Sequence, residues 1–408
     1  MARILLLTPQ LPYPPHQGTS LRNFHILRAL AERHQVTLLS FAEGDGPPDL
    51  AVLRSLARVL PPVAVPPPRS AGRRLRQLAT TREPDVALRL RDPAFPAALA
   101  AALRADAYDA VQVEGIELAH TIPTIRAARA RIVLDCHNAE TELQRRAFRA
   151  DLGRPGRWPA AAYSRLQTGR LARFERWALG AADAVIAVSE ADRDHLRRLW
   201  GAGAGDITVI PNTIDVGEYE WAGPVPDAAR FDLVFTGKMD YRPNVDGMLW
   251  FAEAVWPLIA ARRPGTTWGI VGQRPHPRLE ALRALPGVTV TGRVERVQPY
   301  LAGGAVYILP LRVGSGTRLK LIESMAASKA IVSTTVGAEG FPVADGRELL
   351  LADAPAAFAE AVVGLLGDPG RRRELGAAAR VFAARYDWRE TVVPLAGLYE
   401  RLLTPIGR

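Results

Sequence analysis

The chain has 408 residues, enough for two domains that each bury a core of their own. Hydrophobic residues make up 48% of the sequence and charged residues 23%, which excludes a disordered or fibrous protein. The single cysteine, Cys136, excludes a disulfide framework and a zinc site built from cysteines. The first apolar run is too short for a signal peptide, and charged residues interrupt every later one. We therefore expect a cytoplasmic protein.

The net charge of +10 is concentrated in the first half of the chain. Residues 1–200 carry 29 Lys/Arg against 20 Asp/Glu, and residues 201–408 carry 23 against 22. Much of the excess lies between Arg54 and Arg91, which predicts peripheral contact with anionic lipid at the inner face of the membrane. Biased codon usage explains an Arg- and Ala-rich composition equally well. Nucleic acid is not expected as a partner, because these arginines are not interleaved with aromatic residues.

Short apolar runs alternate with helical patterns in the first half, which is typical of a parallel α/β sheet. Ser189 with Asp192 three residues later predicts a helix that begins with a capping box. The predicted strands are residues 4–7, 36–41, 110–113, 131–135 and 184–188, and the main predicted helices are residues 20–32, 139–179 and those after Ser189.

A second alternating series follows a Gly- and Pro-containing linker at residues 217–230. Two successive Rossmann-like units imply a cleft between them. The predicted strands are residues 232–236, 267–271, 288–291, 305–311, 330–335 and 348–352, and the predicted helices are residues 245–261, 277–284, 297–301, 355–366, 371–384 and 388–403.

Residues 305–335 contain an apolar strand, a Gly-rich turn, a helix and a second apolar strand, which together predict one βαβ unit. The first N–H groups of such a helix have no partner within the helix, and the helix dipole adds positive charge there. Gly314 and Gly316 allow a ligand to approach the backbone, while Arg318 and Lys320 add formal charge. We therefore expect an anion such as a phosphate at this turn.

Glu323 lies seven residues beyond Gly316, or roughly 10 Å along a helix. Its side chain leans back toward the start of the helix, so the carboxylate reaches toward the same ligand. A cationic end with a carboxylate one ribose away fits a nucleoside diphosphate. The alternative is that Lys320 and Glu323, which share a face, form an ordinary surface ion pair.

Short motifs occur in a fixed order along nearly the whole chain, and in order and spacing they resemble those of the family 4, or group 1, glycosyltransferases. The motifs are the early loop with Gly18, Asp135-Cys-His137-Asn138, Val188-Ser-Glu190, Ile210-Pro-Asn212-Thr-Ile-Asp215, Phe235-Thr-Gly237-Lys238-Met-Asp240, Ile270-Val-Gly272, Thr291-Gly292-Arg293-Val294, residues 314–327, Thr335-Val-Gly337-Ala-Glu339-Gly340 and Tyr386-Asp-Trp388.

The resemblance implies the GT-B fold, in which two Rossmann-like parallel-sheet domains face each other across a cleft and a C-terminal helix crosses back to the first domain. Applied to this chain, it predicts an N-terminal acceptor-side domain at residues 1–205, a donor-binding domain at 206–385 and the crossover helix at 386–408. It also implies transfer from a UDP-, GDP- or ADP-sugar to a polysaccharide, lipid-linked or small-molecule acceptor. The transfer would retain the anomeric configuration and need no metal or other cofactor.

The resemblance also assigns roles to single residues. Glu323 matches the glutamate that binds the ribose, and His137 matches the histidine that lines the donor–acceptor cleft. Lys238 matches a basic residue that neutralises the charge of the departing diphosphate. These three are the predicted catalytic residues. Cations near the leaving group stabilise its developing charge in the transition state. The predicted donor-binding residues are Gly18, Lys238, Arg242, Gly272, Arg293, Gly314, Ser315, Gly316, Thr317, Arg318, Lys320 and Glu323.

The sequence departs from the family pattern at two places. Ser315 occupies the position of a glutamate that often precedes Glu323 by a fixed spacing, so one carboxylate contact to the donor sugar is missing. Pro243 and Asn244 occupy the places where the family usually has a second basic residue. The adjacent Arg242 either substitutes for that residue or points to solvent.

Asp192-Arg193-Asp194 spells the D-x-D of metal-dependent transferases, but its position at a helix start favours a structural role, because acidic residues complement the dipole there. No metal site is expected, since the histidines show no ligand spacing. Two rival functions stay open: a sugar-nucleotide epimerase of the same fold, and a catalytically silent nucleotide-sugar-binding assembly subunit.

Overall fold

The computed structural model describes residues 1–15, 18–43, 49–152, 155–201, 203–313 and 318–404. The chain divides into two compact units, one formed by residues 1–212 with 391–408 and the other by residues 213–390. Each unit contains one sheet, and every pair of named strands in the described residues is parallel.

The sheet of the first unit has fully buried strands at its centre because helices cover both of its faces. Alternation along the first strand sends Leu5 and Leu7 into one core cluster and Ile4 and Leu6 into the other. The strand order is β3-β2-β1-β5-β6-β7-β8, with β4 also paired to β2. The strands are β1 (Arg3–Thr8), β2 (Gln35–Ala42), β3 (Arg58–Val59), β4 (Val63–Ala64), β5 (Ala110–Glu114), β6 (Arg131–Cys136), β7 (Ala184–Ala187) and β8 (Ile207–Val209).

The helices of this unit agree with the predicted alternation, but the stretch predicted at residues 139–179 forms two helices that pack on each other. Because β8 pairs with β7, residues 207–209 belong to the first sheet. The helices are α1 (Gly18–Ala31), α2 (Ala51–Leu56), α3 (Ala71–Thr80), α4 (Asp85–Arg89), α5 (Ala94–Ala105), α6 (Ile122–Ala127), α7 (Glu140–Leu152), α8 (Trp158–Ala181) and α9 (Glu190–Trp200).

The sheet of the second unit has the order β11-β10-β9-β12-β13-β14. Its core contains the buried ring of Trp268, which meets Phe251 edge to face at 4.7 Å between ring centres. The strands are β9 (Phe231–Thr236), β10 (Trp268–Val271), β11 (Val288–Gly292), β12 (Gly304–Leu309), β13 (Ala330–Ser333) and β14 (Leu350–Leu351).

The helix predicted at residues 245–261 is interrupted by a π-helical turn at Phe251–Val255. Pro257 follows this turn and has no N–H to donate to the preceding helical turn, which accounts for the irregularity. The helices of this unit are α10 (Arg242–Trp250), α11 (Trp256–Arg262), α12 (Pro277–Glu280), α13 (Gln298–Gly303), α14 (Leu319–Ala326), α15 (Thr335–Ala338), α16 (Pro355–Gly367) and α17 (Pro369–Ala383).

Two helices close the chain, α18 (Trp388–Thr391) and α19 (Val393–Leu403), where the sequence predicted one. Pro394 at the start of α19 explains the break. The side chains of Leu395, Leu398 and Tyr399 join the core cluster of the first unit that contains Ile4. The last helix therefore packs on the first unit, as the resemblance implied. Among the described residues, no helix has the length and hydropathy needed to cross a bilayer.

Candidate active site

The predicted βαβ unit is present in the second unit of the fold. β12 and β13 are parallel neighbours in the sheet, and α14 connects them. Gly314, Ser315, Gly316 and Thr317, which precede α14 in the sequence, lie outside the described residues. Phosphate binding by their amides therefore stays a prediction, and the described part of the site begins at Arg318.

The first turn of α14 carries a lysine that is held in place by polar contacts. Lys320 Nζ donates a hydrogen bond of 2.6 Å to Asn244 Oδ1, and Asn244 Nδ2 donates one of 2.8 Å to the carbonyl oxygen of Lys238. The same ammonium nitrogen lies 4.7 Å from the centre of the Phe235 ring. Burial lowers the pKa of Lys320 to about 7, although the charge of Glu323 opposes the shift. An ammonium group that is partly buried and held by these contacts is well suited to bind an anion.

Asn244 occupies one of the places where the family has a second basic residue. Its side chain is buried on α10 and joins the main chain of Lys238 to the side chain of Lys320. The residue that departs from the family pattern therefore positions a cation from another helix.

Glu323 lies one turn further along α14, and the phenol of Tyr219 is placed to donate a hydrogen bond to its carboxylate. Burial raises the pKa of Glu323, while the Tyr219 hydrogen bond and the charge of Lys320 oppose the shift. Burial followed by the charge of Glu323 raises the pKa of Tyr219 well above its usual range, so this phenol remains a hydrogen-bond donor. Tyr219 lies in the segment interpreted from sequence as a linker, and no pattern there could have indicated its contact.

A second tyrosine is affected by the charge of the same carboxylate. Tyr307 on β12 is fully buried, and its hydroxyl oxygen lies 3.0 Å from Oγ1 of Thr236 at the end of β9. Burial and the charge of Glu323 raise the pKa of Tyr307. Both tyrosines near this carboxylate are thus neutral groups.

Two glycines allow β9 and β10 to end closely beside this lysine. Gly272 has φ +155°, and a Cβ added to it would lie 1.7 Å from the carbonyl oxygen of Gly237. A Cβ added to Gly237 would lie 2.8 Å from Lys320 Nζ and 2.9 Å from Asn244 Nδ2. Gly272, predicted as a donor-binding residue, therefore has a packing role at this edge of the sheet.

The other predicted donor-binding residues are more dispersed. Arg318 is buried and lies 3.7 Å from the carboxylate of Glu339. The Lys238 side chain is 39% exposed and lies 3.9 Å from Asp240. The other described members of the predicted set are exposed. Arg242 begins α10, Arg293 follows the edge strand β11, and Gly18 begins α1 in the first unit.

In the first unit, His137 follows β6 and takes part in a chain of hydrogen bonds. Its Nε2 lies 3.0 Å from Oε2 of Glu114, the last residue of β5. The Gln112 amide donates a hydrogen bond of 2.6 Å to the other oxygen of Glu114, and the Tyr399 hydroxyl donates one of 2.6 Å to Gln112. Neighbouring parallel strands end at one edge of the sheet, which brings Glu114 and His137 together.

Asp135, in the same motif as His137, is bound by an arginine that no sequence pattern singled out. Arg22 on α1 is buried and donates hydrogen bonds of 3.0 and 2.9 Å to the two oxygens of Asp135. It also donates one of 2.9 Å to the carbonyl oxygen of Ile210, in the Ile-Pro-Asn motif. A buried bidentate pair of this kind fixes the loop after β6, which carries His137.

The cluster retains a proton more strongly than isolated side chains would. Burial alone would lower the pKa of His137, but the hydrogen bond to Glu114 and the negative charges of Asp135 and Glu114 raise it overall. Burial and the charge of Asp135 raise the pKa of Glu114. We infer that His137 is an imidazolium that donates its Nε2–H to the Glu114 carboxylate below its raised pKa.

Glu114, Asp135 and His137 each place one potential metal ligand within 4.8 Å of the others. However, Arg22 already binds both oxygens of Asp135. Gln112 and His137 each form a hydrogen bond with one oxygen of Glu114. The guanidinium group thus supplies the positive charge that the two carboxylates need, and this donor set does not favour a metal ion.

The D-x-D motif has a structural role at its first aspartate. The predicted cap of α9 is present, since the Asp192 N–H donates a hydrogen bond of 3.0 Å to Ser189 Oγ. The Asp192 carboxylate accepts bonds from the Ser189 hydroxyl at 2.5 Å and the Ala139 N–H at 3.1 Å. It thereby connects the start of α9 to the loop after His137.

Both halves of the chain match families of known proteins. Residues 17–218 match the family described as Glycosyltransferase Family 4, and residues 230–368 match the family described as Glycosyl transferases group 1. Glycogen synthase from Mycobacterium tuberculosis is 26% identical over 260 residues, which are 61% of this chain and 60% of that protein. The match thus spans about 60% of the length of this relative.

Solved structures of similar fold cover nearly the whole chain. Sucrose-phosphate synthase from Thermosynechococcus elongatus has a TM-score of 0.72 at 20% identity, over 98% of this chain and 99% of that one. The Anabaena protein HepE, solved in complex with UDP and glucose, has a TM-score of 0.65 at 14% identity, over 98% of this chain and 100% of that one. At these identities the likeness establishes the fold. With two parallel α/β units and both family matches, the chain belongs to the group 1, family 4 glycosyltransferases of the GT-B fold.

Proposed function

We propose that this protein transfers a hexosyl group from a nucleoside diphosphate sugar to a saccharide, lipid-linked or small-molecule acceptor, with retention of configuration and without an essential metal. The observation that best supports this proposal is the pairing of Lys320 with Asn244 and of Glu323 with Tyr219 along one helix. It provides a positive and a negative group three residues apart on α14, where a diphosphate and a ribose would bind.

On the donor side, Lys320, Lys238 and Arg318 would bind the diphosphate and stabilise the charge that it gains as it leaves. A cation that is already fixed and poorly hydrated needs little rearrangement when that charge develops. The carboxylate of Glu323 would accept hydrogen bonds from the ribose hydroxyls, with Tyr219 holding its orientation.

On the acceptor side, His137 is the residue proposed for catalysis. The surrounding network fixes both the ring and its proton, because Glu114 binds one ring nitrogen and Arg22 fixes Asp135. An oriented imidazolium would hydrogen-bond the transferring sugar or the acceptor hydroxyl. Each unit contains a cationic side chain held by hydrogen bonds, Arg22 in the first and Lys320 in the second. These fixed positive charges support a mechanism that needs no metal.

Several donors fit this chemistry. UDP-sugars are the first to test, because the Anabaena protein of similar fold was solved with UDP and glucose. The test is turnover and product analysis with UDP-, GDP- and ADP-glucose and a panel of saccharide acceptors. We expect one donor to yield a glycoside that keeps the anomeric configuration, with full activity in EDTA. Donor binding without transfer or hydrolysis would instead identify a silent binding subunit, and a changed sugar on the nucleotide would identify an epimerase.

A lipid-linked acceptor would bring the enzyme to the inner face of the membrane, as the charge of the first half suggested. The protein would then need a surface that contacts lipid headgroups.

A further inference from the structure

A cavity of about 760 Å³ lies between α7 and α8 in the first unit. The side chains that line it are cationic or apolar, and no carboxylate is among those that the structure describes. They are Arg145, Phe148, Arg149, Ala162, Arg165, Leu166, Thr168, Gly169, Arg170 and Arg173.

Three of these arginines have no carboxylate partner among the residues that the structure describes. Arg145 lies 3.2 Å from Glu142, and Arg170 donates a hydrogen bond of 2.7 Å to the carbonyl oxygen of Leu78. Within the described part of the chain, Arg149, Arg165 and Arg173 form no ion pair with a carboxylate. Three uncompensated guanidinium groups around one cavity make it an anion site by charge.

The basic run that the sequence singled out differs from this cavity, because ion pairs neutralise much of it. Five of the nine arginines between residues 54 and 91 have carboxylate partners in the same unit. The pairs are Arg58–Asp106, Arg69–Asp85, Arg74–Asp85, Arg89–Glu117 and Arg91–Glu83.

Large apolar side chains are exposed on the same two helices. Leu152, the last residue of α7, is 54% exposed, and Trp158, the first residue of α8, is 59% exposed. Leu166, in the cavity itself, is 44% exposed. Tryptophan is enriched at the level of lipid headgroups, and leucine beside arginine is typical of helices that lie in that interface.

We propose that the outer face of the α7–α8 hairpin docks on a bilayer that contains anionic phospholipids. Arg149, Arg165 and Arg173 bind headgroup phosphates, while Leu152 and Trp158 enter the interface. A soluble phosphate compound would account for the arginines but not for the exposed leucine and tryptophan. The proposal goes beyond the transferase activity and is independent of it, because vesicle binding requires neither donor nor acceptor.

The test is sedimentation of the full chain with vesicles of phosphatidylcholine containing about 30% phosphatidylglycerol, which provide the anionic surface. The variant Arg149→Glu/Arg165→Glu/Arg173→Glu is compared with Arg73→Glu/Arg76→Glu/Arg82→Glu. The second variant has the same charge change at exposed positions of the basic run. We expect the hairpin variant to lose about 100-fold in affinity, since each basic residue near such a surface contributes about fivefold. The control should change by less than about threefold and keep the same melting temperature.

Trp158→Phe provides a second readout. Wild-type fluorescence should shift to shorter wavelength on anionic vesicles, and the variant should lack that shift while still binding. Wild-type binding should weaken at high salt and with pure phosphatidylcholine. The proposal is overturned if the hairpin variant binds like the wild type or if the control loses as much. Displacement of the wild type from vesicles by low concentrations of inorganic pyrophosphate would likewise overturn it.

Discussion

Asn244 Oδ1 accepts a hydrogen bond of 2.6 Å from Lys320 Nζ, so a residue of α10 fixes the ammonium group carried by α14. Since Asn244 also binds the main chain of Lys238, one amide sets the position of a lysine relative to the end of β9. This contact makes the position of the Lys320 ammonium group, proposed to bind the donor, depend on a neutral residue at a place where the family has a basic residue.

The substitution Asn244→Ala should therefore weaken donor binding. A hydrogen bond to a charged group contributes about 1.5–3 kcal/mol, so we expect the donor dissociation constant to rise at least about tenfold. Asp246→Ala on the same helix removes a side chain that pairs with Arg312 at 3.0 Å, and it serves as the control. Titration calorimetry gives both constants, and equal effects of the two substitutions would argue against a positioning role for Asn244.

Tyr219 and Glu323 should act together on the ribose. Glu323→Ala should chiefly raise the donor dissociation constant, and Tyr219→Phe should raise it about fivefold through loss of one hydrogen bond of about 1 kcal/mol. In the double variant the Tyr219 effect should vanish, because its partner is absent. Additive effects in this double-mutant cycle would show that the two residues do not cooperate.

Donor binding should depend on pH through Lys320. Its pKa is about 7 in the folded protein, so this side chain is mostly cationic below pH 7 and mostly neutral above it. We expect the dissociation constant to rise up to about tenfold per pH unit above 7, with uptake of about one proton on binding at pH 8. Calorimetry in buffers of different ionisation enthalpy measures this uptake. Lys320→Met should abolish both effects, and a profile unchanged by that substitution would assign them to another group.

The same group affects stability in a defined direction. The pKa of Lys320 falls from 10.5 to about 7 on folding, so the unfolded chain binds more protons between these values. The free energy of unfolding should therefore gain a contribution that rises with pH from about 7 to 10.5. Urea titrations of the wild type should show this rise, and those of Lys320→Met should show a flatter dependence.

Glu114 should maintain the protonation of His137. The raised pKa of His137 depends on the hydrogen bond and the negative charges around it, while burial acts in the opposite direction. Glu114→Gln should therefore lower this pKa, as followed by NMR titration of the imidazole. In the wild type, the protonated pair stabilises the fold at pH values below about 6.5, and this contribution is lost as pH rises through the raised pKa. An unchanged titration in Glu114→Gln would contradict the network.

Gly272→Ala should destabilise the second unit. The added Cβ would lie 1.7 Å from a backbone oxygen at φ +155°, so the ends of β9 and β10 would have to separate. We expect a loss of about 3 kcal/mol or more in the free energy of unfolding. Gly364→Ala, in a helix where nothing lies within 4 Å of the added Cβ, should be neutral or stabilising. Equal melting temperatures for the two variants would show that this edge tolerates a side chain.

Much of the fold could be predicted from local patterns. Apolar runs such as residues 4–7 and 131–135 are strands in the structure, because a strand buried on both faces needs a continuous apolar sequence. The interruptions at the π-turn and before α19 were not predicted, although each lies beside a proline, Pro257 and Pro394. The spacing of apolar residues in a helix predicts which residues are buried, but it only weakly predicts where the helical hydrogen bonds are interrupted.

The candidate site was only partly predictable. Lys320, Glu323 and His137 belong to recognisable motifs, but their partners are distant in sequence and carry no pattern of their own. Tyr219 lies beside Glu323 although its segment was predicted to be a linker. Arg22 binds Asp135 from a helix whose sequence carries no recognisable motif. Such contacts depend on how the elements pack, which a single sequence does not specify.

The central claim is that the start of α14 binds the diphosphate of the donor through Lys320. The most direct measurement compares the affinities of the preferred nucleoside diphosphate and of its nucleoside for the wild type and for Lys320→Met. The wild type should prefer the diphosphate by at least about 100-fold, and Lys320→Met should reduce this preference about tenfold or more while nucleoside binding stays the same. An undiminished preference in the variant would show that the diphosphate is bound elsewhere.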